Sequence, residues 1–107
     1  MKGESALLQL ETRIIQELKN IYDPEIPVNI YDLGLIYDID IDKHNNVEIT
    51  MTLTTPNCPI ADQLLTDVKK HITYIKGVND VKINLVFYPP WDKSMMSDEA
   101  LLELGML

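Results

Sequence analysis

The sequence predicts an α/β (α+β) two-layer sandwich, in which two helices cover one face of a three-stranded mixed sheet. Two stretches repeat apolar residues at spacings of three and four, which is typical of amphipathic helices, and three stretches alternate apolar and polar residues, which is typical of half-buried strands. The predicted order is α-β-β-α-β-α. With 107 residues, 46% of them hydrophobic, the chain is long enough for one domain with its own core. We expect a single domain over residues 1–107, with 1–6 and 92–107 at its periphery.

The helices are predicted over residues 5–21, 59–75 and 97–104. The first ends before Asp23-Pro24, because proline disfavours helical backbone in the residue before it. Pro59 suits the first position of the second helix, and Ser97 is a suitable N-cap for the third. The apolar stripes of the two long helices are Leu7, Leu10, Ile14, Leu18 and Ile21 in the first, and Ile60, Leu64, Val68, Ile72 and Ile75 in the second.

The strands are predicted as a hairpin followed by a third strand after the second helix. The hairpin turns at residues 43–46. The third strand should run in the same direction as the second, because a helix returns the chain to the same end of the sheet. It can lie beside either member of the hairpin. The inward-facing residues are Tyr37, Ile39 and Ile41, then Val47, Ile49, Met51 and Leu53, and finally Val81, Ile83, Leu85 and Phe87.

Composition excludes several classes of protein. Nine basic and seventeen acidic residues give a net charge of −8, which argues against nucleic acid as a partner, since such binding relies on clustered Lys and Arg. The single cysteine, Cys58, cannot close an internal disulfide, and a closed zinc site lacks ligands at suitable spacing. The sequence contains neither a signal-peptide pattern nor an apolar run long enough to span a bilayer. We therefore expect a cytoplasmic protein with no membrane partner.

Cys58 is the first candidate for chemistry. With Pro59 as the first helical residue, Cys58 becomes the N-cap, and its sulfur lies at the positive end of a helix. That environment favours the thiolate, the form that binds soft metals and attacks substrates. The alternative is that Cys58 is a small, partly buried cap without chemistry.

A cysteine-dependent enzyme would need a base beside the thiol. His71 lies thirteen residues further along the same helix, and His44 lies in the hairpin turn at the far end of the sheet. Neither can contact Cys58 within one chain, so we expect both histidines to be solvated surface groups and the protein not to be an enzyme.

Two other groups of residues leave alternatives open. Asp23, Glu25 and Asp32 in the loop 23–34 can bind a metal or act as acid and base, or can cap turns. Trp91 can anchor a partner or fold back over the core, and the adjacent pair Met95 and Met96 can form an adaptable apolar patch. The row Asp38, Asp40 and Asp42 is expected to be a solvated strand face.

Three segments together resemble the SufT/PaaD-like iron–sulfur (metal-sulfur) cluster assembly family. They are residues 23–37 (DPEIPVNIYDLGLIY), residues 51–54 (MTLT) with Cys58-Pro59, and residues 89–91 (PPW) followed by 95–97 (MMS) and 104–105 (LG). The resemblance covers about residues 8–107. It implies a fold similar to that of the C-terminal domain of NifU-type scaffolds and a role in maturing iron–sulfur proteins.

The resemblance also assigns roles to residues. It implies that Cys58 is the functional thiol and metal ligand, with the loop of Asp23 and Glu25 near it. On this hypothesis Asp23 and Glu25 shape or polarise the site, while Thr54, Thr55 and Asn57 position the thiol loop. The implied cargo is an iron–sulfur cluster, and the implied partners are assembly proteins and client apoproteins.

One departure from other assembly proteins limits the mechanism. NifU-type domains carry a Cys-x-x-Cys pair, whereas Cys58 is the single cysteine of this chain. One subunit cannot supply four thiolates, so cluster contact must be transient or shared with a partner, a small thiol or a second subunit, and a homodimer would allow this. The alternative is a metal-free adaptor that contacts the assembly machinery or a client through Trp91, the methionine pair and the acidic surface.

Overall fold

The computed structural model describes residues 2–23, 26–54 and 61–105. Its elements are α1 (Lys2–Leu18), β1 (Ile36–Ile41), β2 (Asn46–Met51), α2 (Ala61–Thr73), β3 (Asp80–Leu85), a 3-10 turn (Lys93–Met95) and α3 (Asp98–Glu103). The predicted fold class and element order are confirmed. No helix within the described ranges is both long and apolar enough to cross a bilayer.

The sheet resolves the strand order that the sequence left open. The order is β1-β2-β3, with β2 in the centre. β1 pairs with β2 antiparallel and β3 pairs with β2 parallel, so that Ile49 lies between Ile39 and Ile83. Phe87, predicted to face inward, is 45% exposed, because β3 ends at Leu85.

The core lies between the sheet and the two long helices. Ile14 and Leu18 of α1 pack with Val68 and Ile72 of α2, and all four are completely buried. The central strand supplies Val47, Ile49 and Met51 to the same cluster. Each fully buried side chain of this size contributes roughly 1.5–3 kcal/mol to folding, so the layer contact dominates stability.

The helix bounds differ from the predicted ones at several ends. α1 begins at Lys2 and ends at Leu18, three residues before the predicted end. Ile21 lies beyond the helix because its carbonyl accepts a hydrogen bond from Ile30 N–H at 2.8 Å, which diverts the chain into the following loop. α2 ends at Thr73, and its predicted start at Pro59 lies outside the described residues. Ser97 caps α3 as predicted, accepting from Ala100 N–H at 3.2 Å.

The C-terminal segment contributes to the core. Although the sequence predicts a peripheral position for residues 92–107, Met96 and Ala100 are 7% and 1% exposed and belong to the main core cluster. Met96 therefore fills the interior rather than forming an adaptable surface patch, and only its neighbour Met95 is partly exposed.

The two ends of the sheet differ in what meets there. At one end lies the hairpin turn with His44. At the other end the loop before β1, the residues after β2 and the segment after β3 converge, because β1 starts where β2 and β3 finish. We call this second end the loop end of the sheet.

Candidate functional site

The loop before β1 folds back on itself through backbone bonds. Tyr22 and Asn29 form an isolated antiparallel bridge, and Ile30 N–H donates to the carbonyl of Ile21 at 2.8 Å. The apolar side chains of the loop, Val28, Ile30, Leu33 and Leu35, are all completely buried. The loop is thus a packed part of the core whose backbone stands at the loop end of the sheet.

Asp23 is a buried carboxylate within this loop. Its side chain is 8% exposed, and its Oδ1 accepts a hydrogen bond from Ile26 N–H at 3.0 Å. Its own N–H donates to the carbonyl of Val28 at 3.3 Å. Asp23 therefore caps the turn, which is the turn-capping role that the sequence left open. Its carboxyl group is buried at the loop end.

Asp32 also has a structural role. Its backbone N–H donates to Asn29 Oδ1 at 2.8 Å, and its Oδ2 accepts from Asn29 Nδ2 at the same distance. This reciprocal pair closes the turn that follows the Tyr22–Asn29 bridge. Asp32 and Asn29 therefore act as hydrogen-bond partners for each other. Asp32, like Asp23, caps a turn.

The chain that leads to the thiol is anchored beside this loop. Thr52 N–H donates to the carbonyl of Leu35 at 2.9 Å, and Thr52 and Leu53 are 1% and 5% exposed. Thr54 is half-buried at the end of this anchored stretch. The predicted site residues Glu25, Thr55, Asn57 and Cys58 lie outside the described residues. The structure thus brings together the loop of Asp23 and the segment that precedes Cys58.

A C-terminal strap, residues 89–97, crosses over the loop. Trp91 Nε1 donates to the carbonyl of Leu33 at 2.7 Å. Tyr37 Oη donates to the carbonyl of Pro89 at 2.7 Å, and Ser97 N–H donates to the carbonyl of Asp32 at 2.8 Å. Trp91 therefore folds back over the molecule, which settles one alternative left open by the sequence.

The strap approaches the loop most closely at Gly34. This residue has a φ of +85°, and a Cβ built on it would overlap the carbonyl of Met95 and lie 2.9 Å from its Cβ. Sequence reasoning missed this contact, as it missed the hydroxyl bond of Tyr37. Two sequence features could have indicated the contact: the Asp-Leu-Gly sequence at residues 32–34 and the Pro-Pro-Trp sequence at residues 89–91.

Neither histidine belongs to the loop end. His44 lies exposed in the hairpin turn. His71 is exposed on the side of α2 that faces α1, where its Nδ1 is 2.7 Å from Glu17 Oε1. His71 is a surface residue as predicted, but it is paired rather than simply solvated. Within residues 2–23, 26–54 and 61–105, no group of three or more His, Cys, Asp or Glu side chains is placed to hold a metal ion.

Comparison with known proteins identifies the family. Residues 11–85 match the family described as iron-sulfur cluster assembly protein. The chain belongs to this family of iron–sulfur cluster assembly proteins. The family assignment predicted from the three sequence segments is therefore confirmed.

Named relatives and a solved structure agree with this assembly-family membership. The chain is 56% identical over 100 residues to the Fe-S protein maturation auxiliary factor of Porphyromonas gingivalis, covering 94% of this chain and 95% of that protein. It is 37% identical to the Fe-S protein maturation auxiliary factor SufT of Staphylococcus aureus, over 80% of this chain and 98% of that one. A crystal structure of a domain of unknown function from Bacillus anthracis superposes with a TM-score of 0.85 at 42% identity, covering 92% of this chain and 94% of that one.

Proposed function

We propose that this protein is a cytoplasmic auxiliary factor in the maturation of iron–sulfur proteins, and that Cys58 is the thiol that contacts the cluster. The observation that carries the proposal is the hydrogen bond between Thr52 N–H and the Leu35 carbonyl. It joins the loop of Asp23 to the chain that reaches Cys58 six residues later. Family membership and the maturation factors named among the relatives support the same role.

The chemistry proposed for Cys58 is that of a single labile ligand. A thiolate is a strong ligand for iron, and a cysteine at a helix start is held in that form by the unpaired backbone N–H groups. One thiolate supplies one of the four ligands that a cluster usually takes. The remaining ligands come from a partner, a small thiol or a second copy, and an incomplete ligand set favours transfer over storage. The chain then acts as a carrier or transfer adaptor and not as an enzyme.

The surrounding residues have supporting roles in this proposal. Buried Asp23 holds the turn next to the thiol segment through its bond to Ile26 N–H. Glu25 shapes the same loop, and Thr54, Thr55 and Asn57 set the path of the chain between β2 and the thiol. The partners proposed are the assembly machinery and client apoproteins.

The metal-free adaptor is the weaker candidate. It depends on Trp91, the methionine pair and the acidic surface as the contact surface. The Trp91 indole is already bonded to the Leu33 carbonyl, and Met96 is 7% exposed. Trp91 and Met96 therefore make contacts within this chain and do not form a free surface for a partner.

Complementation of a bacterium that lacks its own maturation factor tests the proposal. The readout is the activity of a cluster-dependent enzyme in extracts, with the amount of its apoprotein measured in parallel. Cys58→Ser is the decisive variant, because serine is a good N-cap and removes only the soft ligand. We expect it to melt like the wild type and to lose maturation. Full maturation by Cys58→Ser would overturn the thiol role, and selective loss in Trp91→Ala would then favour the adaptor.

A further inference from the structure

The outer edge of β3 offers a surface unrelated to the thiol. Strand β3 is the last strand of the sheet, and within the described part of the chain no strand pairs with its outer side. A groove of about 500 Å³ runs between this edge and α2. Leu65, Val81 and Ile83 form its apolar floor, and Lys69 and Lys82 line it as well.

The backbone of β3 is oriented to accept a further strand. Val86 N–H donates to the carbonyl of Met51 at 2.9 Å. Every second residue before Val86 in β3 therefore also directs its backbone N–H and C=O groups towards β2. Successive residues of a strand alternate in this respect. Val81, Ile83 and Leu85 therefore direct their N–H and C=O groups to the outer edge, where an extended segment can continue the ladder.

The two outer edges of the sheet differ in charge. The groove along β3 carries Lys69 and Lys82 against one acidic residue, Asp80. The groove along β1 contains Glu11 and Asp38 and no basic residue among its lining side chains. In a chain with a net charge of −8, the β3 edge is thus the one suited to an acidic segment.

Lys82 makes only a weak ion pair within the chain. Its Nζ lies 3.9 Å from Glu48 Oε2, and the side chain is 72% exposed. Such an exposed pair contributes little, so Lys82 can turn towards another carboxylate at small cost.

We propose that the β3 edge binds an extended segment of a partner protein in which apolar and acidic residues alternate. The segment adds a fourth strand to the sheet. Its apolar side chains enter the groove beside Leu65 and Ile83, and its carboxylates meet Lys82 on the polar face, with Lys69 at the rim. The groove is lined by residues 80–83, in the part of β3 nearer the hairpin end, and its proposed role does not depend on that of Cys58.

Titration of the full-length, isotope-labelled protein with the peptide acetyl-Val-Glu-Val-Glu-Val-amide tests the proposal, followed by amide NMR shifts and exchange rates. We expect saturable shifts centred on Val81 and Ile83, with slowed exchange of those amides. The lysine counterpart, acetyl-Val-Lys-Val-Lys-Val-amide, should not bind. Shifts centred on β1, equal binding of both peptides, or no saturable binding would overturn the proposal.

Charge variants provide matched controls. Lys82→Glu should weaken binding of the acidic peptide by about fivefold or more, through loss of attraction and added repulsion, and Lys69→Glu, on the helix side of the groove, should weaken it less. Lys70→Glu, on the face of α2 towards α1, should bind like the wild type, and Glu48→Gln should bind more tightly because it releases Lys82. Equal weakening by Lys70→Glu would show a general charge effect and contradict the site.

Two further measurements separate this proposal from its alternatives. Cys58→Ser should bind the peptide with wild-type affinity, so failure of the thiol role and failure of the β3 edge are distinguishable. Sedimentation of the peptide-free protein should show no association that Lys82→Glu alters. Self-association sensitive to that substitution would mean that a second copy occupies the edge, and would overturn the proposal.

Discussion

At each end of the sheet an aspartate accepts hydrogen bonds from backbone N–H groups of a turn, but the turn is exposed at one end and packed at the other. At the hairpin end, Asp42 Oδ1 accepts from His44 N–H at 2.8 Å and from Asn46 N–H at 2.9 Å, and residues 42–45 are all exposed. At the loop end, Asp23 uses the same kind of bond to Ile26 N–H but is 8% exposed. Asp-to-backbone capping is therefore common to both ends. What distinguishes the loop end is that the C-terminal strap lies over it and that Thr52, directly after β2, donates its N–H to the carbonyl of Leu35 there.

This difference implies that substitutions at the loop end disturb packed, shared structure, whereas equivalent ones at the hairpin end or on the open surface disturb a local turn only. We therefore expect stability losses to decrease from the contact between strap and loop, through the buried carboxylate and the indole bond, to the exposed turn.

Gly34→Ala should cause the largest loss of stability. A Cβ at this position meets the backbone of Met95 in the strap, and φ is +85°. We expect the free energy of unfolding to fall by about 2–4 kcal/mol in urea titrations. Gly105→Ala is the matched control, because Gly105 also has a positive φ, +74°, and a Cβ there would meet no atom within 4 Å. Equal losses in the two variants would contradict the close contact between strap and loop.

Asp23→Ala should cost more than Asp42→Ala. Removal of the Asp23 carboxylate leaves the part-buried Ile26 N–H without its acceptor, which typically costs about 1–3 kcal/mol. Asp42 is exposed, and water can replace it at its donors. Chemical denaturation of both variants measures the difference. Asp23→Asn, which keeps an acceptor oxygen, should recover much of the loss, and an Asp42→Ala variant as unstable as Asp23→Ala would count against the contrast between the two ends.

Trp91→Phe should produce a smaller loss. A six-membered aromatic ring is kept, but the pyrrole part of the indole is lost and with it the bond from Nε1 to the Leu33 carbonyl, for an expected cost from the lost bond of about 0.5–1.5 kcal/mol. Tyr88→Phe is the control from the same segment, since Tyr88 is 86% exposed and should not change stability. Thermal melts of both variants decide, and a Trp91→Phe melt identical to the wild type would mean that the indole bond does not hold the strap.

The smallest effect concerns acid stability at the hairpin end. Hydrogen bonds from the backbone and then the side chain of Asn46 lower the pKa of Asp42 below its usual value. A carboxyl with a lowered pKa in the folded state contributes stability above its unfolded pKa, and that contribution is lost as pH falls through the folded value. We expect Asp42→Asn to reduce the loss of stability on acidification below about pH 4. Urea midpoints at several pH values measure it, and an unchanged pH profile would contradict the assignment.

The helices, strands and fold class were predictable because burial on one face imposes a period on each element. The position of β3 beside β2 was not, because a parallel crossover can return on either side of a hairpin. The position of Trp91 was not predictable either, since its partner is the carbonyl of Leu33, 58 residues away. For the candidate site, the loop of Asp23 is expected near the thiol only from the family resemblance, and the bond from Thr52 to Leu35 shows that the end of this loop lies beside the residues that follow β2.

Anaerobic reconstitution of the wild type and Cys58→Ser with iron, sulfide and a small thiol is the sharpest test of the proposed cluster ligand. The measured quantities are the protein-bound iron after desalting and the sulfide-to-iron absorption. We expect bound iron and absorption in the wild type, and loss of both in Cys58→Ser at unchanged melting temperature. The same iron content and the same absorption in both proteins would contradict the role of Cys58 as the cluster ligand.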